Sequence, residues 1–280
     1  MEGIHRFKVG SITCTAIADS LSELTAEKVE ARYPAVPREA LLAAFSAYAG
    51  DAGVIRSSLT CLLIETGSRV ILADTGMGPE NRPEQGWLHD GVAQVADPTA
   101  VDTVLITHAH GDHINGLVDE NGALMYPNAS YLMARAEWEH WMGAGGVAER
   151  DADYGAFLKR KLEPIRGRLT LLDDEGEIAP GVRTVLLPGH TPGHLGLLIE
   201  SEGDALLDYV DALHAPFQLE HPGWPIRFDT NPEMAAETRH VMLARAADDN
   251  LLTLGYHLPF PGLGRMVRAG NAFRWEPATR

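Results

Sequence analysis

The sequence predicts an α/β (α+β) fold in which two β-sheets pack together and helices cover both outer faces, a four-layer αββα sandwich. Short apolar runs rich in Val, Ile, Leu and Thr recur along the chain, and Gly, Pro, Asp or Asn bounds most of them, as is typical of strands. Helical patterns lie between and after these runs, without the regular alternation of a βαβ series. No linker divides the chain, so we expect one domain over residues 1–280.

The predicted strands concentrate in the first and third quarters of the chain. Gly67-Ser68 and Glu202-Gly203-Asp204 each separate two apolar runs by so few residues that a hairpin is expected at both places. The runs that predict strands are 6–10, 12–18, 57–65, 69–74, 102–107, 129–133, 182–187, 195–199 and 205–210.

Four helices are predicted from their first residues and from the spacing of apolar side chains. Pro37 opens one that ends before Gly50, and Asn231 caps a longer one that runs to about Ala247. The other two cover 134–142 and 151–162. The least regular parts are 20–56 and 76–100, which we expect to form lids or pocket walls.

Charge and cysteine content limit the classes of function. Lys plus Arg is 23 and Asp plus Glu is 39, which gives a net charge of −16 and disfavours nucleic acid as a partner or substrate. No apolar run approaches the roughly 20 residues that span a bilayer, and the first residues do not resemble a secretory signal, so no membrane association is expected. Cys14 and Cys61 lie in apolar runs and favour two buried thiols in a reducing compartment, so we expect a cytoplasmic protein.

A histidine-rich segment follows the predicted strand that ends at Thr107. It reads HAHGDH over 108–113, a composition typical of metal ligands. Alternate residues that leave a strand point the same way, so His108 and His110 can share one ion. Gly111 lets the chain turn, after which Asp112 and His113 can face a second ion.

Three later segments offer further ligands, each where an apolar run ends. LPGHTPGH over 187–194 carries His190 and His194, and LLTLGYHL over 251–258 carries His257. ALLDYVDALH over 205–214 carries two alternative carboxylates, Asp208 and Asp211, followed by His214. Because all of them follow strands, we expect several strands of one sheet to bring them to one edge.

Together, the HAHGDH segment, GHTPGH over 189–194, Asp211 after a strand and the late His257 resemble the metallo-β-lactamase superfamily over nearly the whole chain. The resemblance implies two divalent metal ions, zinc first, with Mn²⁺, Co²⁺ or Fe²⁺ as alternatives, and a hydroxide between them as nucleophile. It assigns the first ion to His108, His110 and His190, the second to Asp112, His113 and His257, and the bridge between them to Asp211 rather than Asp208. Asp112 would also take part in catalysis, and Asp74 would accept a hydrogen bond from a ligand imidazole.

The C-terminal third is most similar to the methyl parathion hydrolase and lactonase branch. The likeness rests on Asp211-Ala212-Leu213-His214, Phe228-Asp229-Thr230, the helix through Arg239 and the ending 256–275. It implies hydrolysis of a small ester, lactone or phosphotriester, with a small molecule as partner and a homodimer left open. The alternatives are a metal-dependent nuclease of the same superfamily and a glyoxalase-type thioesterase.

The remaining histidines and aromatic residues are weighed one by one. His214 stands where quorum-signal lactonases carry tyrosine, and we expect it to be a catalytic hydrogen-bond donor in the pocket, with a structural role as the alternative. His194 is expected to support the site rather than bind metal. Trp138 and Trp141 are expected in the core. The pocket candidates are Tyr48, Trp224, Phe228 and Phe260, and the surface or ordinarily packed histidines are His5, His89, His140, His221 and His240.

Overall fold

Two seven-stranded sheets pack face to face in the computed structural model, which describes residues 3–270 and 272–278. In the first sheet, strands β1 to β4 are antiparallel neighbours and β4 to β7 are parallel. Its strands follow chain order: β1 Ile4–Val9, β2 Ile12–Leu24, β3 Ile55–Glu65, β4 Val70–Ala73, β5 Thr103–Leu105, β6 Ser130–Ala134 and β7 Leu169–Leu172.

The second sheet contains the C-terminal strands in the spatial order β14 to β8. All of its neighbours are antiparallel except β11 and β12, which are parallel. Its strands are β8 Glu177–Ala179, β9 Val182–Leu186, β10 Leu195–Ser201, β11 Asp204–Asp208, β12 Leu252–Leu254, β13 Leu263–Ala269 and β14 Ala272–Pro277.

Nine helices are found in the described part of the chain. Helices α3, α5 and α7 pack against the outer face of the first sheet, and α9 packs against that of the second. The helices are α1 Ala26–Arg32, α2 Arg38–Ala49, α3 Leu88–Val95, α4 Gly111–Ile114, α5 Arg135–Met142, α6 Val147–Arg150, α7 Ala152–Leu162, α8 Phe217–Glu220 and α9 Pro232–Asp248. None of the described helices is both long and apolar enough to cross a membrane.

Burial on both faces of the strands produces the layers. In β3, Leu62 and Ile64 point between the sheets, whereas Cys61 and Leu63 point outward to the helices. Successive residues of a strand face opposite sides, so a strand covered on both faces is continuously apolar. The predicted αββα sandwich is therefore confirmed.

The elements predicted from local sequence signals are present at nearly their predicted bounds. The Asp151 and Asn231 side chains accept hydrogen bonds from the amides of Tyr154 and Met234 and so cap α7 and α9. Both predicted hairpins are formed, since β3 pairs with β4 and β10 with β11.

The segments predicted to be the least regular, 20–56 and 76–100, hold more regular structure than was predicted. Besides the predicted helix α2, the first holds the end of β2 and helix α1, and the second holds α3. Helix α1 buries only Val29 fully, so its apolar spacing gives little signal along the chain. The strands β7, β8, β13 and β14 were also not predicted.

Candidate dinuclear metal site

The predicted ligands meet where strands of both sheets end. Strand β5 of the first sheet leads to the segment 108–113, and β9, β11 and β12 of the second sheet lead to His190, Asp211 and His257. Strands β9 and β11 are both antiparallel to β10, and β12 is parallel to β11, so these three end at the same edge. The expectation that strands of one sheet bring the three later segments to one edge is therefore confirmed, and β5 of the facing sheet brings the segment 108–113 to the same place.

The first ligand group consists of His108, His110 and His190. Nδ1 of His110 lies 3.1 Å from Nε2 of His108 and 3.0 Å from Nε2 of His190. Nitrogens around a tetrahedral zinc ion are about 3.3 Å apart, given Zn–N bonds of about 2.0–2.1 Å. Burial lowers the pKa of His108 and His190 and lowers that of His110 to about 3, which favours the neutral imidazoles that bind metal.

The second ligand group consists of Asp112, His113, Asp211 and His257. Nε2 of His113 lies 3.8 Å from Oδ1 of Asp112, and Nε2 of His257 lies 3.7 Å from Oδ2 of the same carboxylate. Their ligand atoms all lie within 4.8 Å of one another. A mixed set of carboxylate and imidazole donors at this spacing suits a divalent ion such as zinc.

Asp211 lies between the two groups. Its Oδ2 is 3.7 Å from Nε2 of His108 and 3.5 Å from Nε2 of His190, and it is also 3.3 Å from His113 and 3.1 Å from His257. Burial alone would raise the pKa of Asp211, but the surrounding imidazoles hold it well below its usual value. Asp208, the alternative carboxylate, instead accepts a hydrogen bond from the amide of Val210 and belongs to neither group.

Two buried side-chain atoms of the ligand groups have no hydrogen-bond partner in the described part of the chain, and both suit a bound cation. They are Nε2 of His113 and Oδ1 of Asp211. Nδ1 of His113 lies 2.7 Å from Oδ2 of Asp74, so a proton on Nδ1 leaves the Nε2 lone pair pointing into the cluster. A buried polar atom without a partner costs about 1–3 kcal/mol, which a metal ion would offset. The residues present therefore fit two divalent ions.

Each of three ligand imidazoles has a partner that fixes its orientation. Asp74 contacts His113 as predicted, and it also accepts from Oγ1 of Thr107, which lies 3.2 Å from Nδ1 of His108. A second chain runs from Nδ1 of His190 to Oδ1 of Asp229 at 3.0 Å and from Oδ2 of Asp229 to the buried guanidinium of Arg239 at 3.3 Å. Such partners set the tautomer and direction of a ligand imidazole.

Two residues of the site adopt left-handed backbone conformations. Val210, which directly precedes the ligand Asp211, has φ 48°, and Asp74, the hydrogen-bond partner of the ligand His113, has φ 63°. A β-branched residue such as valine is rarely found at positive φ, and such strain concentrates at functional sites. The local backbone thus supports the functional assignment of this strand edge.

Glu137 was not predicted, yet it joins two of the metal-ligand segments. Its buried carboxylate accepts hydrogen bonds from the amides of Ala109 and Gly193, and from Nε1 of Trp141 on the same helix. Burial raises the pKa of Glu137, and these hydrogen bonds act in the opposite direction. Ala109 and Gly193 are distant from Glu137 in sequence, so no local pattern indicates that Glu137 joins their segments.

We expect Glu137→Gln to destabilise the protein by about 1–3 kcal/mol. The carboxylate now accepts hydrogen bonds from several N–H groups, and the glutamine amide would place its own N–H group against at least one of them. Chemical denaturation would measure the change in the free energy of unfolding. Glu139→Gln, the same change at an exposed position of α5, is the matched control and should stay within about 0.5 kcal/mol of the unmodified chain. Equal stability of the two variants would contradict the role given to Glu137.

His194 and His214 lie next to the ligand groups in different ways. Nδ1 of His194 contacts the carbonyl of Leu187, and its Nε2 lies 3.3 Å from the amide nitrogen of Asp211. His194 therefore uses both ring nitrogens on the backbone of two ligand segments, in line with a supporting role. Nε2 of His214 lies 3.3 Å from Oδ2 of Asp211, and its ring stacks on His257 at a centroid distance of 5.0 Å.

A cavity of about 420 Å³ opens onto the ligand groups. Its walls include Trp141, Tyr154, Ile226 and Phe228, and His214 also lines it. Trp141 was predicted to lie in the core, but it also forms a cavity wall because the end of α5 reaches His110, whose ring centroid is 5.6 Å away.

Of the four aromatic pocket candidates, the structure places only Phe228 among the described residues that line this cavity. Trp224 packs near Phe217, the Tyr48 hydroxyl donates to Glu220, and Phe260 lines a different groove. Segment 76–100 contributes no described residue to the cavity, whereas Arg32 from segment 20–56 does. The expected pocket walls were therefore only partly right.

Comparison with known proteins agrees with this geometry. The family model described as the metallo-β-lactamase superfamily matches residues 56–232, which is more than half of the chain. An N-acyl homoserine lactonase from a Bacillus species is 31% identical over 184 residues, 58% of this chain and 66% of the relative. One from Bacillus cereus is 30% identical over 168 residues, 52% of this chain and 60% of the relative. The matches thus span less than two thirds of these curated relatives.

Two solved structures share the whole fold. AidC, described as a dizinc quorum-quenching lactonase in complex with its product N-hexanoyl-L-homoserine, superposes with a TM-score of 0.90 at 26% identity, covering 99% of this chain and 98% of AidC. The hydrolase AbOPH of the β-lactamase superfamily superposes with a TM-score of 0.87 at 25% identity, covering 100% of this chain and 99% of AbOPH. On the family match, the fold and the site, this chain belongs to the metallo-β-lactamase superfamily.

Proposed function

We propose that this protein is a dinuclear zinc hydrolase that opens lactones. The observation that carries the proposal is the position of Asp211, whose Oδ2 lies within 3.7 Å of imidazole nitrogens from both ligand groups in a buried site. The choice of lactones is supported by the curated N-acyl homoserine lactonases and by the likeness of the whole chain to the dizinc lactonase AidC.

In this proposal, His108, His110 and His190 would hold one ion, Asp112, His113 and His257 would hold the other, and Asp211 would be shared between them. Two such ions supply a Lewis acid for the scissile carbonyl and a water molecule of lowered pKa. The side chains of the cavity orient the substrate and exclude water from the reacting carbonyl. The aromatic walls of the cavity pack against the apolar part of the substrate, and the ring of His214 offers a hydrogen-bond donor beside the reacting carbonyl.

The alternative functions have less support. A nuclease needs a basic path for a phosphate backbone, yet the net charge is −16, and among the described residues that line the cavity only Arg32 carries a permanent positive charge. A glyoxalase-type thioesterase is not favoured by any contact described above. A small neutral substrate suits the cavity better than either.

The proposal predicts two zinc ions per chain and the highest kcat/KM on lactones. Elemental analysis of the purified protein and steady-state kinetics on lactones, aryl esters, phosphotriesters, thioesters and β-lactams would measure both quantities. A chelator should remove the activity, and added Zn²⁺ should restore it. A kcat/KM at least about tenfold higher on any other class than on every lactone would exclude the proposed substrate class, since such a ratio corresponds to about 1.4 kcal/mol of transition-state binding.

We further propose one domain over residues 1–280 and a cytoplasmic location. The first is supported by the shared core between the two sheets, to which strands from both halves of the chain contribute. The second is supported by Cys14 and Cys61, which are buried and not joined in a disulfide. A homodimer stays a prediction that light scattering can test.

A further inference from the structure

Besides His214, two polar residues that the ligand groups do not use line the cavity above the metal ligands. They are Arg32 and Tyr154, set among the apolar walls of Trp141, Ile226 and Phe228. Arginine can only donate hydrogen bonds, and burial raises the pKa of Tyr154 to about 12, so its hydroxyl keeps its proton. The carboxylates that line this cavity, Asp112 and Asp211, both belong to the ligand groups. The rest of the cavity therefore favours a ligand that brings acceptors.

Arg32 is held at the cavity by its backbone. It is the last residue of α1, and its carbonyl accepts a 2.8 Å hydrogen bond from the amide of Arg227, directly before Phe228 in the cavity wall. The next residue, Tyr33, is buried and packs edge-on against Phe217 at a centroid distance of 5.1 Å. The backbone position is thus fixed, and only the side chain of Arg32 remains free to meet a ligand.

The guanidinium of Arg32 makes no hydrogen bond or ion pair within the described part of the chain. Even exposed arginines of this acidic protein find carboxylates: Arg38 pairs with Glu30 and Arg268 with Asp248. Arg32 is partly buried, so its charge loses some contact with water without gaining a protein partner. A ligand oxygen would supply that partner.

We propose that Arg32 binds a carbonyl or carboxylate oxygen on the arm of the substrate that extends away from the lactone ring, and so selects lactones whose arm carries such an acceptor. The inference rests on the proposed function and narrows its substrate class. A guanidinium forms charge-assisted hydrogen bonds with both oxygen types and a paired bond with a carboxylate. The apolar walls contact the carbon chain of the same arm.

Three lactones with all-carbon arms of equal length test the proposal: one with a methylene and no acceptor, one with a ketone at the same position, and one ending in a carboxylate. The unmodified protein should prefer at least one acceptor-bearing arm over the methylene arm. Arg32→Met should lower that preference, measured as the ratio of kcat/KM values, by about tenfold or more, the usual effect of losing a charge-assisted hydrogen bond. The loss should appear in KM rather than kcat, because the contact lies away from the reacting carbonyl.

The matched control is Arg38→Met, which removes the same charge from the neighbouring helix but lies outside the cavity. It should leave the preference unchanged. Calorimetric binding of lactams with the same three arms gives a readout without turnover and should show the same ratios. If the carboxylate arm is the preferred one, the preference should weaken as salt rises, whereas preference for the ketone should vary little.

Two outcomes would count against the inference in different ways. Equal preference for all three arms in the unmodified protein, or the same preference in Arg32→Met as in Arg38→Met, would overturn the inference and leave the lactonase proposal standing. Absence of turnover on every lactone by the zinc-loaded protein would remove the proposed function and the inference with it. Thermal unfolding of the two variants would show whether both are folded.

Discussion

Asp211→Ala is expected to reduce lactone turnover by about three orders of magnitude or more and to lower the zinc content below two ions per chain. Residues that act as one unit lose nearly all activity when one is removed. Oδ2 of this carboxylate lies within 3.7 Å of imidazoles from both ligand groups, so its loss weakens both ions together. It also leaves several buried imidazoles without their shared acceptor. Elemental analysis and kinetics on the same preparation would measure both effects.

Asp208→Asn is the control for this prediction. Asp208 is the last residue of β11, three positions before Asp211, and lies outside the ligand groups. Its Oδ1 accepts a hydrogen bond from the amide of Val210, which an asparagine oxygen can also accept. Burial raises the pKa of Asp208 to about 8, so its carboxyl already favours the neutral form at pH 7 and the substitution changes little charge. Zinc content and turnover should therefore remain close to those of the unmodified protein. Full metal content in Asp211→Ala, or equal metal loss in both variants, would contradict the bridging role.

The elements that sequence analysis predicted are those fixed by neighbours along the chain. Helix α9 begins where Asn231 supplies a cap and Pro232 a suitable first residue, and the β10–β11 hairpin turns at Glu202 and Gly203, which both have positive φ. The strands β13 and β14 were missed because few of their residues are buried large hydrophobic ones, namely Leu263, Met266 and Phe273, so the apolar pattern is weak.

The candidate site was predictable to the extent that its ligands carry distinctive side chains at strand ends. All seven predicted ligands lie in the two ligand groups that the structure forms. Which sheet each strand joins was not predictable, because that depends on pairing between residues far apart in sequence. The same reason hides Glu137, whose partners Ala109 and Gly193 are brought to it only by the fold. Arg32 gave no signal either, since its place in the cavity depends on contact with the segment around Arg227.

Two roles are open to His214: metal ligand and hydrogen-bond donor to the substrate. With His190 and Asp211 it forms a third group of possible ligand atoms within 4.8 Å, which would allow metal binding. Its ring also lines the cavity, and its Nδ1 is buried with no partner in the described part of the chain. The side chain of Gln218 accepts a 2.7 Å hydrogen bond from the backbone amide of His214 and so fixes the backbone from which the imidazole extends. We predict that His214 donates a hydrogen bond to the reacting oxygen of the substrate and is not required for metal binding.

His214→Ala should lower kcat by about two to three orders of magnitude while both zinc ions stay bound, because removing one donor from a developing oxyanion commonly costs that much. His214→Tyr should recover part of the loss, since a phenol O–H can donate where the imidazole N–H did. Elemental analysis separates this role from ligation: loss of one zinc ion from the alanine variant would make His214 a ligand. Turnover within about threefold of the unmodified protein would make it a structural residue, because a donor to the reacting oxygen has a far larger effect.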